Sequence, residues 1–128
     1  MNDRTLLELA ARAAGIEVRW RDDDIYLGSF ERRVVPEPKS PCSKWLYWRP
    51  LMDDGDALRL AVRLNLDIRY ESYDAGVAVI VGGAWDGAPE AVHEIFERDG
   101  PRATRRAIVR AAAEIGKSMT QPGATSSP

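Results

Sequence analysis

From about Asp54 to Leu64 the chain has few alternatives to an amphipathic helix with an unusually wide apolar face. On a helical wheel Ala57, Leu58, Leu60, Ala61, Val62 and Leu64 cover about 200° of the surface. Only Asp56, Arg59 and Arg63 share the opposite side. So wide an arc predicts a helix covered on two sides and acting as the hub of the core. Asp53-Asp54-Gly55-Asp56 stands at its head, with Asp53 as the N-cap and Asp54 and Asp56 complementing the positive end of the dipole. Asn65 is its expected stop, and the aromatic cluster Trp45-Leu46-Tyr47-Trp48 leads into it through Arg49-Pro50.

What surrounds such a helix is bounded by length and composition. A chain of 128 residues is the size of a single domain, able to bury roughly two thirds of its unfolded surface. Cys42 is the one cysteine, which excludes an internal disulfide and a cysteine-based zinc cluster and suits a reducing cytoplasm. The first residues lack the basic and long apolar stretches of a signal peptide, and no run is long enough to span a membrane. A net charge of −2 argues against a general nucleic-acid binder, which carries a basic excess.

Periodicity orders the rest. Residues 3–14 read as a first helix, capped by Asp3 or by a Thr5/Glu8 capping box, with Leu6, Leu7, Ala10, Ala11 and Ala14 as its apolar stripe and Gly15 as its stop. Ile16–Arg21 alternates as a strand, Asp22-Asp23-Asp24 is a turn, and Ile25–Phe30 is the return strand. Residues 31–44, with Pro36, Pro38 and Pro41, read as a loop. Beyond the central helix, Leu66–Tyr70 and the apolar run Val77–Val81 are strands joined at Asp74-Ala75-Gly76, the second being the central one. Ala91–Glu97 reads as a further strand, with Val92, Glu94 and Phe96 on one face. Asp99-Gly100-Pro101 opens a last helix, Arg102–Ile115, capped by Gly116. Its inward positions are Thr104, Ile108, Ala111, Ala112 and Ile115. The order α-ββ-α-βββ-α predicts an α+β domain over residues 1–116, with about three helices on a small mixed or mainly antiparallel sheet. A disordered tail is expected over 117–128, where apolar content falls away.

Few residues point to chemistry. Asp53, Asp54 and Asp56 lack the spacing of a calcium loop, and capping accounts for them. Asp22-Asp23-Asp24 is more simply a solvated turn. Cys42 and His93 contain the atoms of a nucleophile and base, but Cys42 has no local activating signature. His93 is the one histidine, so a multi-histidine metal site is excluded. Gly82-Gly83 ends a strand without developing a phosphate loop. The reading is therefore of no catalytic, cofactor or metal residues.

Recognition is better represented. Arg102, Arg106 and Arg110 recur every four residues with Arg105 adjacent, a stripe able to meet phosphates or an acidic partner; Glu114 is placed to pair with Arg110. Among the tryptophans, Trp20 and Trp48 read as core, whereas Trp45 and Trp85 flank loops and are the surface candidates.

The stretch Trp48–Val62, WRPLMDDGDALRLAV, and the later Ala103–Ala113, ATRRAIVRAAA, together resemble small phage and prophage proteins related to the NinX-like proteins of unknown function. The Leu6–Gly15 helix is similar to theirs as well, while Arg49, Met52, the proline-rich loop and residues 84–99 depart from the pattern. The resemblance implies a phage-encoded accessory protein in a bacterial cytoplasm and brings no catalytic residues. Three functions follow in order. The first is a non-enzymatic protein that binds a host or phage macromolecule, including inhibition of a host defence system. The second is a nucleic-acid-binding accessory protein using the arginine stripe. The third is a metal- or nucleotide-dependent enzyme. A protein partner is favoured over nucleic acid, no membrane is implied, and a homodimer would cover exposed aromatic loops.

Overall fold

The computed structural model describes residues 2–22, 28–34 and 44–120, with Thr120 described in its backbone alone. The first helix, α1 (Asp3–Ala14), is capped one residue earlier than expected: Asn2 Oδ1 accepts the Thr5 N–H at 2.8 Å, and Asp3 falls in the first turn. Gly15, at φ 67°, takes the left-handed conformation that lets its own N–H and that of Ile16 return to carbonyls of the last turn.

Three strands follow where two were expected: β1 (Val18–Arg21), β2 (Ser29–Val34) and β3 (Lys44–Trp48), an antiparallel sheet in that order. The return strand thus lies later than the Ile25–Phe30 reading. Residues 31–34, expected as loop, are ladder-paired to β1 and β3. Asp23, Asp24, Ile25, the three loop prolines and Cys42 lie outside the described residues. Trp45–Trp48 was hidden as a strand because apolar side chains stand at four consecutive positions, which erases the period of two. Register separates them: Trp20, Phe30 and Trp48 align across the inner face, and Arg19, Glu31 and Tyr47 across the outer. Trp20 and Phe30 meet edge to face at 5.0 Å.

The central helix, α2 (Asp54–Arg63), is followed by Asn65 at φ 53°, a positive value that asparagine tolerates. A second antiparallel sheet comes next: β4 (Leu66–Tyr73), β5 (Gly76–Gly83) and β6 (Val92–Phe96), with β5 in the centre as expected. On β6, Val92, Glu94 and Phe96 are at least half-buried while His93 and Ile95 are exposed, the alternation the sequence predicts.

The last helix, α3 (Gly100–Thr120), begins where Asp99 accepts the Arg102 N–H at 3.0 Å and continues past its expected end. Gly116 is not a cap. It is a buried interior position where a Cβ would overlap the Leu9 carbonyl, so it marks close approach of α1 and α3. The tail expected from Lys117 is therefore helical to Thr120, and residues 121–128 lie outside the described part.

The fold is α+β, and the described residues form three helices and two small antiparallel sheets in the order α-βββ-α-βββ-α. Its hub is α3 rather than α2. Ala103, Ala107, Ile108, Val109, Ala111, Ala112 and Ala113 are buried, and α3 packs on α1, α2 and all three strands of the second sheet. Small side chains on α1 (Ala10, Ala11, Ala14) and α3 let the two helices approach closely. The first sheet joins the same core through Phe30 and Trp48.

Candidate functional site

The acidic turn at the head of α2 resolves into three carboxylates with three separate tasks. Asp53 is the N-cap, accepting the Asp56 N–H at 2.8 Å. Asp54 is exposed and accepts Arg105 of α3 at 2.7 Å. Asp56 is buried, and its two oxygens take the Arg49 backbone N–H at 2.9 Å and the Arg59 guanidinium at 2.7 Å. Both Asp54 and Asp56 lie in the first turn, where the dipole favours them, but each also carries a long-range or buried bond that capping alone does not require. Among the described residues, no group of three or more His, Cys, Asp or Glu is placed to hold a metal ion. Asp22 accepts the Trp20 indole N–H at 3.2 Å, and His93 is exposed on the outer face of β6.

The arginine stripe is largely bound into the fold. Arg105 is the least accessible of the four: its Nε donates to the Leu51 carbonyl at 3.0 Å as its other end grips Asp54. Arg106 reaches Asp3 at 3.3 Å, bracing α3 against the start of α1. Arg110 bonds the His93 carbonyl at 3.0 Å and the Glu94 carboxylate, so its partner is on β6 and not Glu114. Arg102 is exposed, with no side-chain partner among the described residues. The stripe is thus three structural braces and one solvated arginine rather than a uniform basic face.

The tryptophans divide nearly as their sequence contexts imply. Trp48 is fully buried, and Trp20 is half-buried against the core with Arg4 stacked 4.5 Å above its ring. Trp85 is exposed and lies over Gly83, where a Cβ would meet its ring. Trp45 is half-buried beneath the Arg19 guanidinium, 4.1 Å from the ring centre.

A surface that the sequence reading passed over lies along α2. Leu58 and Val62 are 60% and 68% exposed, while Ala57, Leu60 and Ala61 are buried. The helix is therefore covered on one side of its apolar arc only. The uncovered side borders a groove of about 740 Å3 between α2, the Gly15–Glu17 segment and β2. Ile16, Trp48, Leu58, Leu60 and Val62 give its apolar lining, and Arg32, Arg33, Arg59 and Arg63 its cationic one. The carboxylates within it are committed: Glu17 to Arg33 at 3.1 Å, and Asp56 to Arg59 and the Arg49 amide. Arg63 donates to the Ala14 carbonyl, whereas Arg32 has no side-chain partner among the described residues. Leu58 also lines a second cavity of about 420 Å3, shared with Ile68, Tyr70, Thr104 and Ile108. The signal for this surface was present in the 200° arc, which is wider than one packing contact consumes.

No helix among the described residues is long and apolar enough to cross a membrane. No family model, curated protein or solved structure matches this chain.

Proposed function

We propose that this chain is a non-enzymatic binding protein that engages a protein partner across α2, with an acidic segment of the partner seated in the groove beside it. The observation that carries this reading is the pair Leu58 and Val62, exposed one turn apart on a well-capped helix. Covering the surface they still expose would contribute roughly 1–2 kcal/mol each, against the entropic cost of association. The surrounding arginines outnumber the carboxylates by four to two, and the carboxylates are already engaged, so an incoming acidic side chain meets a favourable field. The core of an interface is more apolar than the rest of a protein surface and is enriched in arginine, as this ridge and groove are.

The likeness of Trp48–Val62 and Ala103–Ala113 to small phage and prophage proteins related to the NinX-like group supports a phage-encoded accessory role in a bacterial host cytoplasm. Inhibition of a host defence protein is the form of that role to test first.

The experiment is an affinity capture from host lysate with the wild-type chain and the double variant Leu58→Asp/Val62→Asp, identified by mass spectrometry. A specific protein retained by the wild type and lost by the folded variant is expected. Equal capture by both would remove α2 as the docking surface. Light scattering on both proteins covers self-association: a wild-type dimer that the variant dissolves would reassign the ridge to a second copy of this chain.

A further inference from the structure

We propose that the outer face of the first sheet binds single-stranded nucleic acid. This face adjoins the α2 groove and shares Arg33 and Glu17 with its rim, but it includes none of the apolar ridge residues and does not depend on the role assigned to Leu58 and Val62. Antiparallel register sets Arg19, Glu31 and Tyr47 in one row across the sheet, with Arg33 beside Trp45 in another and Arg21 beside Ser29 in a third. Because side chains alternate along a strand, these residues all project from the same face. Arg49, two residues beyond Tyr47, lays its guanidinium 4.5 Å over the Tyr47 ring, as Arg19 does over Trp45 at 4.1 Å.

Charge on this face is one-sided. Among the described residues four arginines, 19, 21, 33 and 49, and two carboxylates, Glu17 and Glu31, lie on this face, in a chain whose net charge is −2. Glu31 is buried and takes Arg19 at 2.9 Å and Arg21 at 3.5 Å; Glu17 takes Arg33 at 3.1 Å. These pairs hold the guanidiniums in position without covering them, since the Arg19, Arg21 and Arg33 side chains remain 48%, 64% and 44% exposed. A guanidinium has five donors, so each retains capacity for a phosphate oxygen.

The flat shape and the planar groups select the ligand. Cations that repeat every second residue, about 6.7 Å apart along a strand, can follow a phosphodiester backbone, while aromatic and guanidinium planes offer faces on which unpaired bases stack. A three-stranded sheet face is too broad to enter a duplex major groove, which admits a helix or a two-stranded ribbon. An acidic protein would satisfy the charges but leave the stacked planes unused.

The test is fluorescence anisotropy with a labelled oligothymidylate, an RNA of the same length and a duplex, titrated across salt. Binding of the single strands in preference to the duplex is expected, with a log–log salt slope of about −2 to −3 for three to four phosphate contacts. Tyr47→Ala is expected to weaken binding about ten- to hundredfold, and Arg21→Ser/Arg33→Ser to reduce the slope by about one. Tyr47→Leu serves where circular dichroism shows the alanine variant unfolded, since it retains apolar bulk and loses the ring. Leu58→Asp, on the other surface, is expected to leave oligonucleotide binding unchanged. No binding at low salt, binding indifferent to the Tyr47 and arginine variants, or equal displacement by polyglutamate would overturn the proposal, the last pointing to an acidic protein instead.

Discussion

Asp56 shows how one carboxylate can serve local and long-range structure together. It supplies the N–H that Asp53 caps, and its side chain reaches seven residues back to the Arg49 amide. Removing the Asp56 carboxylate strands a part-buried donor, so Asp56→Ala is expected to cost about 2–3 kcal/mol. Asp53→Ala removes one capping bond and is expected to cost about 1 kcal/mol. Urea titration checks the order; a larger shift in midpoint for Asp53→Ala would reverse the assignment of roles. The cap was legible because Asp53 and the Asp56 N–H are three residues apart, a local relation that sequence spacing encodes. The burial of Asp56 was not, since it depends on how the turn at Pro50–Met52 folds the Arg49 amide against the helix.

At the scale of elements, α3 replaced α2 as the centre of the core. Its alanines look weakly apolar in sequence, and Leu-rich α2 looks like the stronger anchor. Packing reversed the ranking because small side chains permit close helix contact, whereas Leu58 and Val62 stand mostly exposed at the edges of open grooves. Gly116 carries this point further. Alanine there would gain about 1 kcal/mol of helix propensity, but its Cβ would strike the Leu9 carbonyl, a backbone group that cannot swing aside. Overpacking of this kind costs roughly 1–3 kcal/mol, so Gly116→Ala is expected to lower the thermal midpoint despite the propensity gain. A raised midpoint would show that α1 and α3 separate easily. The arginines of α3 differ by their partners in the same way. Arg105→Ala gives up the bonds to Leu51 and Asp54 and is expected to destabilise by about 1–3 kcal/mol. For Arg102→Ala the expected change is within about 0.5 kcal/mol. Similar unfolding midpoints for the two variants would contradict the bracing role of Arg105.

For the whole molecule, the question is whether two separate sheets make one cooperative unit. Among the described residues strand pairing does not connect them. Phe30 and Trp48 of the first sheet are, however, buried in the same cluster as α1, α3, Val79 and Val81. One unfolding transition is therefore expected, with tryptophan fluorescence, weighted to Trp20 and Trp48, coinciding with far-ultraviolet circular dichroism, weighted to the helices. Two separated transitions would mean that the first sheet opens on its own. From sequence alone the chain declared its class, its three helices, the central β5, the β6 alternation and the Asp53 cap, because each rests on periodicity or on groups a few residues apart. The third strand, the split into two sheets, the place of α3 at the hub and the fate of the arginines were decided only by tertiary structure. Those outcomes depend on which faces meet: three arginines of one helical stripe became braces because Asp54, Asp3 and Glu94 arrived beside them from distant parts of the chain. The apolar arc of α2 illustrates both halves. Its width could be read from the sequence; that the fold covers one side and leaves Leu58 and Val62 to solvent was settled by the packing of everything else.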